Sequence, residues 1–124
     1  MAKFYTELDG RLREFIEEQK IFFVGTAGQE GRVNVSPKGM DSLRVLNANR
    51  LIWLNLTGSG NETAAHVLEQ LRMTLMFCAF EGSPLILRVY GKAKAIHPRD
   101  EDWAEYISRF PEYPAVHDKY FYSI

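Results

Sequence analysis

A chain of 124 residues, 46% of them hydrophobic, is long enough to build one domain with a real core and too apolar to stay disordered. With 15 basic and 16 acidic residues its net charge is −1, so electrostatics gives no reason to expect nucleic acid or a membrane surface as partner. A single cysteine excludes an internal disulfide. No apolar run reaches membrane-spanning length and the first residues lack a signal-peptide pattern, which predicts a cytoplasmic protein.

In chain order, Thr6 to about Gln19 reads as a helix. Thr6 is its expected cap, with Asp9 at the positive end and Leu8, Leu12, Phe15 and Ile16 on one stripe. Ile21–Ala27 is a strand, and Gly28-Gln29-Glu30-Gly31 turns it into a hairpin. Arg32-Val33-Asn34-Val35-Ser36 alternates, placing Arg32, Asn34 and Ser36 on one face and the valines on the other. Pro37 has no N–H and is expected to stop the ladder. Ser42–Leu46 and Arg50–Leu56 form a second hairpin.

Residues 57–66 follow, Thr57-Gly58-Ser59-Gly60-Asn61-Glu62-Thr63-Ala64-Ala65-His66, leading into a helix at about 62–71. A glycine-rich passage from strand to helix presents free N–H groups that suit a phosphate. A Rossmann fingerprint would need glycine at position 63, where this chain has threonine. Two readings stand: a polar turn with Ser59 or Asn61 as N-cap, or an anion site.

Met73–Phe80 is a nearly continuous apolar strand, expected to be buried on both faces or close to it, and Cys78 inside it reads as core. Leu85–His97 is one long strand, with Gly91 marking a bulge or bend. Asp100 is the expected cap of a last helix that carries Trp103, Tyr106, Ile107 and Phe110 on one face. The aromatic tail, Tyr120-Phe121-Tyr122, needs a surface to cover, in the barrel or on another chain. The pattern is mainly β with flanking helices: six to seven strands in antiparallel hairpins, forming a small closed or split β-barrel. Residues 1–124 are expected to form a single domain.

No hydrolytic machinery is visible. His66, His97 and His117 have no metal-ligand spacing, so no metal is expected. Arg32, Asn34, Ser36 and Lys38 can share a face if the strand continues past Pro37. With Thr63 they would form an anion cradle, walled by Trp53 and Leu54. The other reading is a solvated barrel face.

The order of Arg32-Val33-Asn34-Val35-Ser36-Pro37-Lys38-Gly39, Leu51-Ile52-Trp53-Leu54, Gly58-Ser59-Gly60-Asn61-Glu62-Thr63 and Leu87-Arg88-Val89-Tyr90-Gly91-Lys92-Ala93 resembles the FMN-binding split barrel of the pyridoxamine 5′-phosphate oxidase-like family. The resemblance covers about residues 8–97. It implies a homodimer with two FMN sites at the interface. Ser36, Pro37 and Lys38 would line the phosphate and ribityl part, and Ser59, Asn61 and Thr63 would complete the phosphate site. Backbone near Asn34 would face the ring edge, and Trp53 would be wall or core.

Two departures stand out. Ala64 and Ala65 occupy the positions where the oxidases carry an Arg-Lys pair, leaving Lys38 as the main cation. The chain also lacks the Arg-x-His of the oxidases' final segment, so oxidation of the vitamin itself is not expected. The resulting expectation is an FMN-binding oxidoreductase with an unknown small-molecule substrate and no identifiable general acid or base. The alternatives are a non-catalytic flavin- or haem-binding module and, disfavoured by charge, an oligonucleotide-binding barrel.

Overall fold

The computed structural model describes residues 3–39, 41–55, 72–97, 99–110 and 120–124. The first helix, α1, spans Gly10–Glu18. Its cap is Asp9, whose carboxylate accepts from the Leu12 N–H at 2.9 Å, and not Thr6. The Leu8 N–H donates instead to the Ala48 carbonyl at 2.7 Å, which ties the preceding chain to a hairpin and starts the helix later. The apolar stripe is as expected: Leu12 and Ile16 are buried, and Leu8 and Phe15 pack against the same core.

β1 (Phe22–Thr26) and β2 (Asn34–Lys38) pair antiparallel from Phe22 opposite Lys38 to Thr26 opposite Asn34. The ladder therefore runs through Pro37 and does not stop there. β2 is the edge of its sheet, where a residue without an N–H is tolerated. β3 (Leu43–Asn47) and β4 (Arg50–Asn55) form the second hairpin. The helix expected at 62–71 lies outside the described residues.

β5 (Arg72–Cys78), β6 (Ile86–Lys92), β7 (Lys94–Ile96), the helix α2 (Trp103–Ser108) and β8 (Tyr120–Ser123) complete the described elements. The strands form two four-stranded antiparallel sheets, ordered β2-β1-β5-β6 and β3-β4-β8-β7. The long strand crosses between them at Ala93, just past Gly91, so the expected bend is there. A Cβ on Gly91 would stand 2.8 Å from Ile124 Cγ2; glycine lets the strand pass this close. The eight strands exceed the six or seven expected because the long strand splits in two and the aromatic tail forms β8. That tail fills the gap between β4 and β7.

β4 explains the core. Leu51 and Trp53 join Phe22, Val24, Leu75 and Phe77 between the sheets, while Ile52 and Leu54 join Ile96, Tyr106 and Phe110 beneath α2. All four β4 residues are buried, which accounts for their unbroken apolar run. In β5 Met73, Leu75 and Phe77 are buried and Thr74, Met76 and Cys78 half-buried, so Cys78 is not a fully buried core residue. Its outward face has no second layer among the described residues. Asp100 does not cap α2; its carboxylate accepts from the His97 N–H at 2.7 Å and closes the turn before the helix.

Gly91→Ala should force Ile124 aside and destabilise the fold by about 1–3 kcal/mol, the usual range for overpacking. Urea unfolding of the variant checks this.

Candidate functional site

Residues directly opposite in an antiparallel ladder project to the same side of the sheet. Phe22, Val24 and Thr26 are buried, so their partners Lys38, Ser36 and Asn34 turn inward. Val35 and Pro37 turn outward, and Val33 and Val35 remain 68% and 63% exposed. β2 is thus inverted: its polar residues face the space between the sheets and its apolar ones face solvent. Of the expected cradle, Asn34, Ser36 and Lys38 share one face, while Pro37 and Arg32 are exposed. Ser59, Asn61 and Thr63 lie outside the described residues.

The inward row has unusual chemistry. Ser36 Oγ is buried and finds no hydrogen-bond partner among the described residues. A buried hydroxyl left this way costs about 1–3 kcal/mol. Lys38 Nζ lies 5.1 Å from the centroid of the Trp53 ring, and burial lowers its pKa below the ordinary lysine value. Trp53 is only 1% exposed and meets Phe22 edge-on, centroids 6.2 Å apart. It is a core residue that supports Lys38 from below, and it offers little open wall of its own.

The turn after Lys38 is tightly built. A Cβ on Gly39 would stand 2.9 Å from the Lys20 carbonyl oxygen. Asp41 adopts φ of 56°, a left-handed conformation uncommon outside glycine and asparagine. Arg44 holds it, with Nη1 to Oδ1 at 2.9 Å and Nη2 to Oδ2 at 3.2 Å. The same guanidinium lies 4.4 Å from the Phe110 ring and donates through Nε to the Arg109 carbonyl at 3.2 Å. This clamp between turn and α2 was not singled out from sequence, although the Asp-x-x-Arg spacing was there to be seen.

An inward cation beside a partnerless hydroxyl fits an anionic, hydroxyl-rich ligand, and so fits the phosphate and ribityl part of FMN. No cluster of three metal-ligating side chains occurs among the described residues. No described helix is long and apolar enough to cross a membrane.

Two antiparallel sheets sharing one bent strand define a split-barrel protein. The family model described as pyridoxamine 5′-phosphate oxidase matches residues 8–122, and the chain belongs to that family. It is 39% identical over 112 residues to the pyridoxamine 5′-phosphate oxidase family protein ustO of Aspergillus flavus, a match over 88% of this chain and 45% of that protein. The chain thus spans about half the length of this curated relative. Its fold is also similar to that of the heme storage protein HutZ from Vibrio cholerae, with TM-score 0.67, 18% identity and coverage of 94% of this chain and 88% of that one. An FMN-binding protein from Syntrophomonas wolfei aligns with TM-score 0.65 at 16% identity, covering 90% of this chain and 78% of the other.

Ser36→Ala removes the partnerless hydroxyl and should stabilise the ligand-free protein by about 1 kcal/mol, measured by chemical unfolding. Lys38 titrates in the opposite sense to a salt-bridged lysine. Its lowered folded pKa means the unfolded chain binds the proton more tightly, so the penalty is full at neutral pH and fades as pH rises through the lysine range. The stability of the native protein relative to Lys38→Met should therefore improve between neutral pH and strongly alkaline pH, read from paired thermal melts.

Proposed function

We propose that the chain binds FMN and serves as a flavin-dependent oxidoreductase for a small-molecule substrate, with two sites at the interface of a homodimer. The observation that carries this is the partnerless Ser36 hydroxyl beside the desolvated Lys38 amine on the inward face of β2. Lys38 supplies positive charge to the phosphate. Ser36 supplies a hydroxyl to the phosphate or ribityl chain, and backbone from Asn34 to Ser36 borders the ring. Pro37 fixes φ at the edge of the cradle, and Trp53 holds Lys38 in place. Ser59, Asn61 and Thr63 complete the phosphate site from the glycine-rich stretch. When bound, FMN supplies the hydride or electron chemistry. The protein's part is to bind, orient and exclude water.

The dimer reading draws on the outward face of the first sheet. Val35, Ile86 and Tyr90 are exposed there at 63%, 59% and 71%, around the half-buried Phe23 and Met76. Arg88 shares that face, directly opposite Met76, so the face is mainly apolar with a charge set into it. Exposed hydrophobic clusters of this kind mark interaction surfaces, and a second copy would cover it. Val35→Glu should then convert the dimer to monomer, seen by sedimentation.

Protein purified without added cofactor should be yellow and release FMN on heating. Lys38→Ala should weaken FMN by about 1–3 kcal/mol, the scale of a hydrogen bond to a charged group. Affinity unchanged in that variant would remove the cradle. The similarity to HutZ favours one rival, a non-catalytic flavin- or haem-binding module. A Soret band, or bound flavin that neither NADH nor NADPH reduces, would select it.

A further inference from the structure

Among the described residues, no strand follows β6 on the side of the first sheet away from β2. β6 is the far edge of the first sheet, and its inward residues Leu87 and Val89 are only half-buried, unlike Leu75 and Phe77 beside them. Between β6 and the segment from Lys3 through α1 lies a cleft of about 720 Å³, within the size range of small-molecule sites. Leu12, Leu51 and Ile124 line its buried depth.

Its mouth is positively charged. Lys3, Arg11 and Arg88 line it, against the single acid Glu7. Arg11 Nη2 donates to the Tyr5 hydroxyl oxygen at 3.0 Å. That bond uses the oxygen as acceptor and leaves the Tyr5 O–H proton free to donate. The remaining Arg11 N–H groups and the Tyr5 O–H thus form a donor pair on the cleft wall, suited to a carboxylate. The Arg88 side chain makes no ion pair or hydrogen bond among the described residues.

We propose that this cleft is a second binding site, for a small molecule with an apolar body and a carboxylate head held by Arg11 and Tyr5. It is separate from the β2 cradle, because β6 and β2 are opposite edges of one sheet, and it does not rest on the flavin reading. Ile86 and Tyr90 lie where the cleft meets the outward sheet face, so a second copy would border its mouth.

Dodecanoate titrated into the purified protein by calorimetry tests the proposal. One molecule should bind per chain. Arg11→Gln, a change on the helix surface, should weaken it at least tenfold, and Val89→Trp should abolish it by filling the cleft. Flavin content should stay unchanged in both variants. Dodecanol should bind at least tenfold more weakly than dodecanoate. No saturable binding, equal affinity in Arg11→Gln, or equal affinity for dodecanol would overturn the proposal. So would binding that appears only in a Val35→Glu monomer, since the second copy would then be the occupant.

Discussion

Everything in this fold turns on β4 having no solvent face. Leu51 and Trp53 fill the space between the sheets, and Ile52 and Leu54 fill the space beneath α2. Each fully buried large apolar side chain contributes about 1.5–3 kcal/mol relative to exposure. Four in a row make this strand the piece that both cores require. It also positions the candidate site, because Trp53 in that run lies beneath Lys38. Of the two readings the sequence leaves for Trp53, wall or core, the structure takes the core one, and the ring acts as a platform for Lys38.

The inverted β2 costs stability. A strand that points valines at water and a lysine, a serine and an asparagine inward forgoes hydrophobic burial and desolvates polar groups. The register with β1 leaves no choice, because slipping by one residue would exchange every side chain between faces. Local rules broken without a compensating contact inside the chain are expected at functional sites. Among the described residues both faces of β2 break them: the inward face lacks a partner for Ser36, and the outward face lacks an apolar cover.

Much of this was legible in the sequence, and the parts that were not have physical reasons. Hairpins, the bend near Gly91 and the stripes of both described helices follow from period and turn chemistry, which are local. Pro37 misled because edge position is a property of the whole sheet and not of the residue. Thr6 and Asp100 are good capping residues whose backbone surroundings were claimed by other bonds, at Ala48 and His97. β8 could not be placed because its partners, β4 and β7, are distant in sequence and a short aromatic run carries no register of its own. Of the candidate site, the alternation of Asn34, Ser36 and Lys38 was visible. That this polar face points inward was not, since alternation sets which residues share a face and not which face is buried. The clamp from Arg44 to Asp41 and Phe110 escaped for a related reason, because Phe110 comes to it only through the packing of α2.

The apolar run in β5 connects these points. Read as a string, Met73 to Cys78 predicts burial on both faces or close to it, and in the structure one face is buried and the other half-buried. A strand of polar-alternating composition would have sufficed for a one-sided sheet. The outward Phe23 and Met76 lie beside each other across β1 and β5, and Val35 and Tyr90 continue the same face onto the neighbouring strands. These outward hydrophobic residues therefore lie on one face in adjacent rows, with Arg88 opposite Met76 among them. The reading of near-burial on both faces and the half-buried outward residues of β5 agree, and the second copy proposed for that face would bury them further.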